Sequence, residues 1–179
     1  QKAGFFEMPG FWYIRHDMTH DIFLALGTNL GHRILNLRDA LSLFSPDCEW
    51  VAVSMVFETP PWGFADQPAF LNMAVHARTR LGTESILSKL KQAEVQIGRE
   101  QTFRWGPRLI DLDILFYDDL VLDSPGLTIP HKRLHERAFV LVPLADVAAD
   151  FVHPVLGKTV RQLLADVDTS GIVVNEEQI

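Results

Sequence analysis

Apolar positions fall into a regular rhythm from Asp21 onward. Residues 22–26 are a continuous apolar run closed by Gly27-Thr28-Asn29, which predicts a buried strand. Ile34, Leu37, Leu41 and Phe44 then recur at helical spacing, and Ser45-Pro46-Asp47 ends that helix. Residues 49–57 alternate and predict a strand, with Trp50, Val51, Val53 and Val56 as candidates for burial. Pro60, Pro61, Gly63 and Pro68 make 58–68 a loop. Residues 70–79 alternate again, with Leu71, Met73, Val75 and Ala77 on one face and Phe70, Asn72, Ala74 and His76 on the other. Thr83 is expected to cap a helix carrying Ile86, Leu90, Ala93 and Ile97, with Gly98 as its stop. A polar, arginine-rich loop over 99–108 leads into a third long strand over 109–117. Beyond Pro130 the pattern turns helical, with a bend expected at Pro143 and a short helix near 159–165. The polar tail after Asp166 is expected to fray.

The order strand, helix, strand, strand, helix, strand is that of a ferredoxin-like βαββαβ unit. It predicts an α+β fold with a largely antiparallel sheet flanked by helices. Residues 1–17 stand apart: they are aromatic-rich, aperiodic and broken by Gly4, Pro9 and Gly10. They read as an N-terminal extension whose origin the pattern leaves open, and 18–179 as a single domain. At 179 residues the chain is long enough to bury a core without disulfides. Its single cysteine, Cys48, reads as structural and suits a reducing cytoplasm better than secretion. The formal charge of −7 argues against a general nucleic-acid or anionic-membrane binder. No apolar run approaches a membrane span.

Candidate chemistry is concentrated in Arg108-Leu109-Ile110-Asp111-Leu112-Asp113-Ile114. On a strand, Asp111 and Asp113 share one face, with Cβ atoms roughly 7 Å apart, while Ile110, Leu112 and Ile114 share the other. Paired carboxylates offer hard oxygen ligands of the kind Mg²⁺ prefers. Two acids on a solvated strand face are the plainer reading of a lone D-x-D. Context favours the site: six of the 16 Lys and Arg residues, Arg99, Arg104, Arg108, Lys132, Arg133 and Arg137, fall between 99 and 137. Guanidinium groups match phosphate oxygens, so a cationic cluster in an acidic chain fits a polyphosphate. A surface ion-pair network is the alternative.

A second candidate is the stiff loop Glu58-Thr59-Pro60-Pro61-Trp62-Gly63 together with Phe70-Leu71-Asn72. Phe70 and Asn72 point to one side of their strand, and a ring beside an amide suits a planar heterocycle. Phe70 alone reads as core more often than as a platform, whereas Asn is depleted in strands. Trp62 and Trp105 lie in loops, as lids or as plugs. There is no P-loop: Gly27-Thr28-Asn29-Leu30-Gly31 lacks the Lys-Ser/Thr pair. A Rossmann fingerprint and zinc-ligand spacing are also absent. His76 reads as a satisfied or exposed histidine.

These blocks resemble the 6-hydroxymethyl-7,8-dihydropterin pyrophosphokinase family. The resemblance is carried by Leu26-Gly27-Thr28-Asn29-Leu30, Thr59-Pro60-Pro61, Asp66-Gln67-Pro68, Phe70-Leu71-Asn72, Pro130-His131 and Arg137-Ala138-Phe139. Above all it is carried by Arg104-Trp105-Gly106-Pro107-Arg108 running into Asp111-Leu112-Asp113. It implies transfer of the terminal diphosphate of ATP, as one unit, to the pterin hydroxymethyl group, with release of AMP. It implies that Asp111 and Asp113 hold two Mg²⁺ ions and that Arg99 and Arg108 act on the phosphates. ATP would meet Glu94, Trp105, Arg108, Ile114, Thr128, His131, Lys132 and Arg137. The pterin would meet Thr59, Pro60, Trp62, Phe70, Asn72, Trp105 and Phe139. It also implies a cytoplasmic enzyme, fused to or encoded beside another folate enzyme. Lys132, Trp62 and Gly126 depart from the residues that members often carry at those places. The alternatives are a two-metal phosphohydrolase and a non-catalytic, nucleotide-binding ferredoxin-like module.

Overall fold

The computed structural model describes residues 19–100 and 106–179. The extension expected at 1–17, and with it Arg104 and Trp105, lie outside those residues. The central strands are β1 (His20–Thr28) and β4 (Phe70–Thr79), antiparallel along their whole length from His20↔Thr79 to Thr28↔Leu71. β5 (Asp111–Tyr117) pairs with the other edge of β1, setting Asp113 opposite Ala25 and Asp111 opposite Gly27. β2 (Cys48–Val53) and β3 (Phe57–Thr59) share the far edge of β4. Every pairing in this sheet is antiparallel, and the order is that of the expected βαββαβ unit.

One sheet face is covered by α1 (Arg33–Phe44) and α2 (Thr83–Ile97). Between them lie Ile22, Leu24, Leu37, Met73, Val75, Ile86, Leu90 and Leu112, all buried. The opposite face carries α3 (Ala138–Ala148) and α4 (Val160–Ala165) over Phe23, Ala74, Phe116, Leu141 and Leu163. Two covered faces explain why the central strands are apolar on both sides. Pro143 lies inside α3, which runs through it. α4 starts at a full capping box, with Thr159 accepting from the Gln162 N–H at 3.2 Å and Gln162 accepting from the Thr159 N–H at 2.9 Å. β6 (Leu122–Ser124) and β7 (Leu127–Ile129) form a separate hairpin. Among the described residues, no helix is long and apolar enough to cross a membrane.

Three expectations are corrected. Residues 49–57 are not one strand: the chain breaks after Val53, where the Ser54 hydroxyl accepts the Ala74 N–H at 2.9 Å. Val51 and Val53 are exposed at 43% and 45%, whereas Val56 is buried, because the three cannot share one face across the break. Thr83 is the first residue of α2 rather than its cap, which is Gly82. The tail after Asp166 does not fray. It returns to the sheet as β8 (Val173–Val174), paired with β3 through Phe57↔Val174 and Glu58↔Val173.

Candidate active site

The open end of the sheet, where β1 finishes and β4 and β5 begin beside the start of α3, forms one cleft. It is lined by Thr59, Pro60, Trp62, Phe70, Asn72, Arg108, Asp111, Asp113, Arg137 and Phe139, with β1 backbone as its floor. Ten of the residues expected from sequence therefore meet in one place, from four separate stretches of chain.

The acidic half hangs from β5. Strand alternation turns Ile110, Leu112 and Ile114 into the core and leaves Asp111 and Asp113 facing the cleft. Asp111 is gripped from two sides, by Arg99 at 2.8 Å and Arg108 at 2.6 Å. Arg99 arrives there because Gly98 ends α2 in a left-handed turn at φ 100°, so that the Arg99 N–H folds back onto the Glu94 carbonyl at 2.9 Å. Its guanidinium also bonds the Glu94 carboxylate. Glu94 is 3% exposed and accepts the Leu112 N–H at 2.9 Å and Lys91 at 3.0 Å. It is a buried pivot joining α2, β5 and Arg99, and it does not line the cleft.

Arg108 is fixed through its backbone. Its N–H donates to Asn29 Oδ1 at 2.8 Å, and its carbonyl accepts the Asn29 N–H at 3.1 Å. Asn29 Nδ2 also donates to Gln67 and to the Pro68 carbonyl, both at 3.0 Å. Asn36, 8% exposed, bonds Thr28, Leu30 and Leu109 at 2.9–3.2 Å. Sequence reasoning passed over both asparagines as positioning residues; a polar side chain on the apolar stripe of α1 was the available signal.

Among the described residues, Asp113 has no cationic clamp as close as those on Asp111. Lost water around it, then the charge of Asp111, push its pKa up to about 6 against the pull of Lys91 and Arg137. His131 Nε2 lies 3.9 Å away. Burial and the Arg137 charge lower His131 to about 4, so at neutral pH this contact is not an ion pair. Arg137 lies under the Trp62 ring, with its Cζ 5.4 Å from the ring centroid, and its buried Nε has no hydrogen-bond partner. An acid with a raised pKa and a guanidinium whose Nε has no partner among the described residues share the cleft, and each is suited to an ion of opposite sign.

The donor chemistry fits Mg²⁺, which takes hard oxygens and commonly uses one or two carboxylates plus substrate phosphates. Among the described residues, no group of three His, Cys, Asp or Glu side chains could hold a metal ion. Any divalent ion here would complete its shell from phosphate and water.

The aromatic half is held by packing and pairing rather than charge. Thr59 pairs with Phe70 across β3 and β4, and the Asn72 amide donates to Thr59 Oγ1 at 2.7 Å. Asn72 is 7% exposed and lies opposite Gly27. A Cβ at Gly27 would stand 2.7 Å from Asn72 Oδ1, so only glycine leaves room for that amide. Phe139, on the first turn of α3, lies 6.3 Å from Trp62 between ring centroids. The arrangement provides flat apolar walls and one fixed amide.

Six expected residues among those described do not line the cleft: Arg99 and His131 reach it only through Asp111 and Asp113, and four others stand further off. The Ile114 side chain is 4% exposed and belongs to the core, because its strand parity is opposite to that of the two acids. Glu94 is the buried pivot described above. Thr128, on β7, donates to Asp123 at 3.1 Å, and Lys132 is exposed beside His131.

A ferredoxin-like sheet carrying acids, guanidiniums and a flat pocket at one end is the build of an enzyme that handles polyphosphate beside a planar ring. Comparison with known proteins narrows that class. The family described as 7,8-dihydro-6-hydroxymethylpterin-pyrophosphokinase (HPPK) matches residues 23–149. The 2-amino-4-hydroxy-6-hydroxymethyldihydropteridine pyrophosphokinase of Methylorubrum extorquens is 43% identical over 152 residues, covering 84% of this chain and 95% of that protein. The mitochondrial folate synthesis bifunctional protein of Arabidopsis thaliana is 46% identical over 134 residues, 74% of this chain but 24% of that one. Wild-type Plasmodium falciparum HPPK-DHPS, solved with pteroate, shares the fold at a TM-score of 0.69 and 20% identity, over 83% of this chain and 42% of that one. The chain belongs to the HPPK family.

Proposed function

We infer that this protein transfers the terminal diphosphate of ATP to the hydroxymethyl group of 6-hydroxymethyl-7,8-dihydropterin, a step of folate biosynthesis. The observation that carries the reading is the meeting of Asp111, Asp113, Arg108 and Arg137 with Phe70, Asn72 and Phe139 in one cleft, in a chain of this family. The hydroxymethyl oxygen attacks the β-phosphorus of ATP. The bond from that phosphorus to the α,β-bridging oxygen breaks, and AMP leaves with that oxygen. The hydroxyl proton passes to water.

Such transfer depends on positioning and charge neutralisation more than on covalent help. Asp111 and Asp113 would hold two Mg²⁺ ions, which when bound neutralise phosphate oxygens. Arg108 and Arg99 would trade their hold on Asp111 for the triphosphate, and the Arg137 guanidinium would take a phosphate oxygen. His131, neutral at pH 7, would contribute a hydrogen bond and not a charge. Glu94 would act on ATP only through Arg99, and Lys132 and Thr128 would border the nucleotide from outside the cleft. Phe70 and Phe139 would flank the pterin. Asn72, held by Thr59, would read its polar edge, with Pro60 and Trp62 closing the rim.

We also propose a cytoplasmic location, supported by the single free cysteine. A gene or domain neighbour of the same pathway is part of the proposal. Relatives such as the Arabidopsis bifunctional protein support it, since the present chain spans about a quarter of that protein's length.

The test is incubation with ATP, Mg²⁺ and the hydroxymethyl pterin. AMP that appears only when pterin is present is the expected result. Pterin-independent phosphate release would replace this reading with a phosphohydrolase.

A further inference from the structure

The ring pocket has two walls from distant parts of the chain: Thr59-Pro60 at the end of β3, and Phe139 at the start of α3. β3 has only three residues and pairs with β4 along one edge. So short an outer strand has little to hold it if its other edge is open. That edge is taken by β8. Just before β3, Val56 is 1% exposed, so its backbone groups require partners. The Asn175 N–H donates to the Val56 carbonyl at 2.8 Å. The side-chain amide of Gln178 meets both groups: its Oε1 accepts the Val56 N–H at 2.7 Å and its Nε2 donates to the Val56 carbonyl at 3.4 Å. Arg38 of α1 fixes the Gln178 carbonyl at 3.0 Å.

Between α4 and β8 the chain makes a tight turn. The Ser170 N–H and hydroxyl both donate to the Asp168 carboxylate at 2.9 Å. Gly171 follows at φ 78°, so close to the loop that a Cβ there would stand 3.2 Å from Pro60 Cγ. Val167, Ser170 and Ile172 face Thr59, Pro60 and Phe139 across a shared cleft behind the ring pocket. The segment begins on α4, which packs on the helix bearing Phe139, and ends on the strand bearing Thr59. It therefore spans both walls.

We propose that residues 167–178 are a strap that sets the separation of the two pocket walls and so tunes affinity for the planar substrate. The strap touches no substrate; it positions Thr59 and Pro60. The acids and arginines at the phosphate end are held instead by β5, Asn29 and the Glu94–Arg99 pair. Binding of ATP is accordingly independent of the strap. The proposal rests on the ring-pocket reading above.

The experiment compares KM for the pterin and for ATP in Gly171→Ala, in Gln178→Ala and in a chain ending at Asp168. A wall moved by a fraction of an ångström costs large factors in a preorganised site. The expected result is a pterin KM raised about fivefold in the point variants and more than about tenfold in the shortened chain, with the ATP KM within about twofold of wild type. Folded point variants with an unchanged pterin KM would overturn the strap, whatever happens to their melting temperature. Equal rises in both KM values would also overturn it, as general loosening. If the shortened chain fails to fold, the point variants decide. Asn72→Ala serves as the control. If it leaves the pterin KM unchanged, the ring-pocket reading itself fails; if it raises the pterin KM while Gly171→Ala does not, only the strap fails.

Discussion

The two halves of the cleft are built by opposite means. The phosphate half is a charge network in which Asp111 holds two arginines, Glu94 holds one of them, and Asp113 is left with a pKa near 6 and Arg137 with an unsatisfied Nε. The ring half is fixed by neutral groups, with Arg137 against its rings from the other half: Asn72 is pinned by Thr59, Gly27 makes room for it, and β3 and β8 hold the wall. Neutral hydrogen bonds fix the ring half, whereas the other half concentrates two carboxylates and three guanidiniums in one network. A preformed ring pocket minimises ordering cost on binding. A charge cluster that waits for its counterions is a standing cost to the bare fold, recovered on binding.

Four measurements test that contrast. Asp113→Ala removes the less compensated acid, and turnover should fall by about 10²–10³-fold with the pterin KM little changed. Near-wild-type rates would discard the acidic half as the reaction centre. Phe70→Ala should raise the pterin KM about tenfold, by loss of a stacking face, and leave the ATP KM alone. A change confined to ATP would reverse the assignment of the two halves. Mg²⁺ affinity should be flat above pH 7 and fall as pH drops through about 6, because protonated Asp113 cannot ligate. Titration calorimetry across that range checks it, and a midpoint near 4, the ordinary carboxylate value, would contradict the raised Asp113. Gly27→Ala is the subtlest: its Cβ displaces the Asn72 amide, so the pterin KM should rise about threefold at unchanged kcat.

How much of this was legible in the sequence follows the same division. The faces of β4, the stop at Gly98 and the shared side of Asp111 and Asp113 depend on local periodicity and local turn chemistry, and they came through intact. The cationic cluster was visible as composition. What was missed depends on contacts between distant segments. The break after Val53 exists because Ser54 satisfies Ala74 across the sheet. The tail looked polar and free, yet Val173 and Val174 are ordered by an edge of β3 that no local pattern announces. Glu94 looks like any helical acid until Arg99 and the Leu112 N–H close on it. The resemblance places Ile114 at ATP, whereas its own strand parity puts its side chain with the core residues.

The claim beneath all of this is that the acid pair is a cation site bought at the expense of the unliganded fold. An aspartate raised above its unfolded value of 3.8 binds its proton more tightly when folded, so stability falls as pH rises from about 4 to 6 and stays lowered at pH 7. Removing that charge should relieve the cost, on the order of 1 kcal/mol once solvent screening is allowed for. The direct measurement is calorimetric melting of wild type and Asp113→Asn, each bare and with Mg²⁺ plus a non-transferable ATP analogue. The bare variant should melt above bare wild type and gain little from the ligands, while wild type gains several degrees. A bare variant that melts lower and keeps the full ligand-induced gain would contradict it.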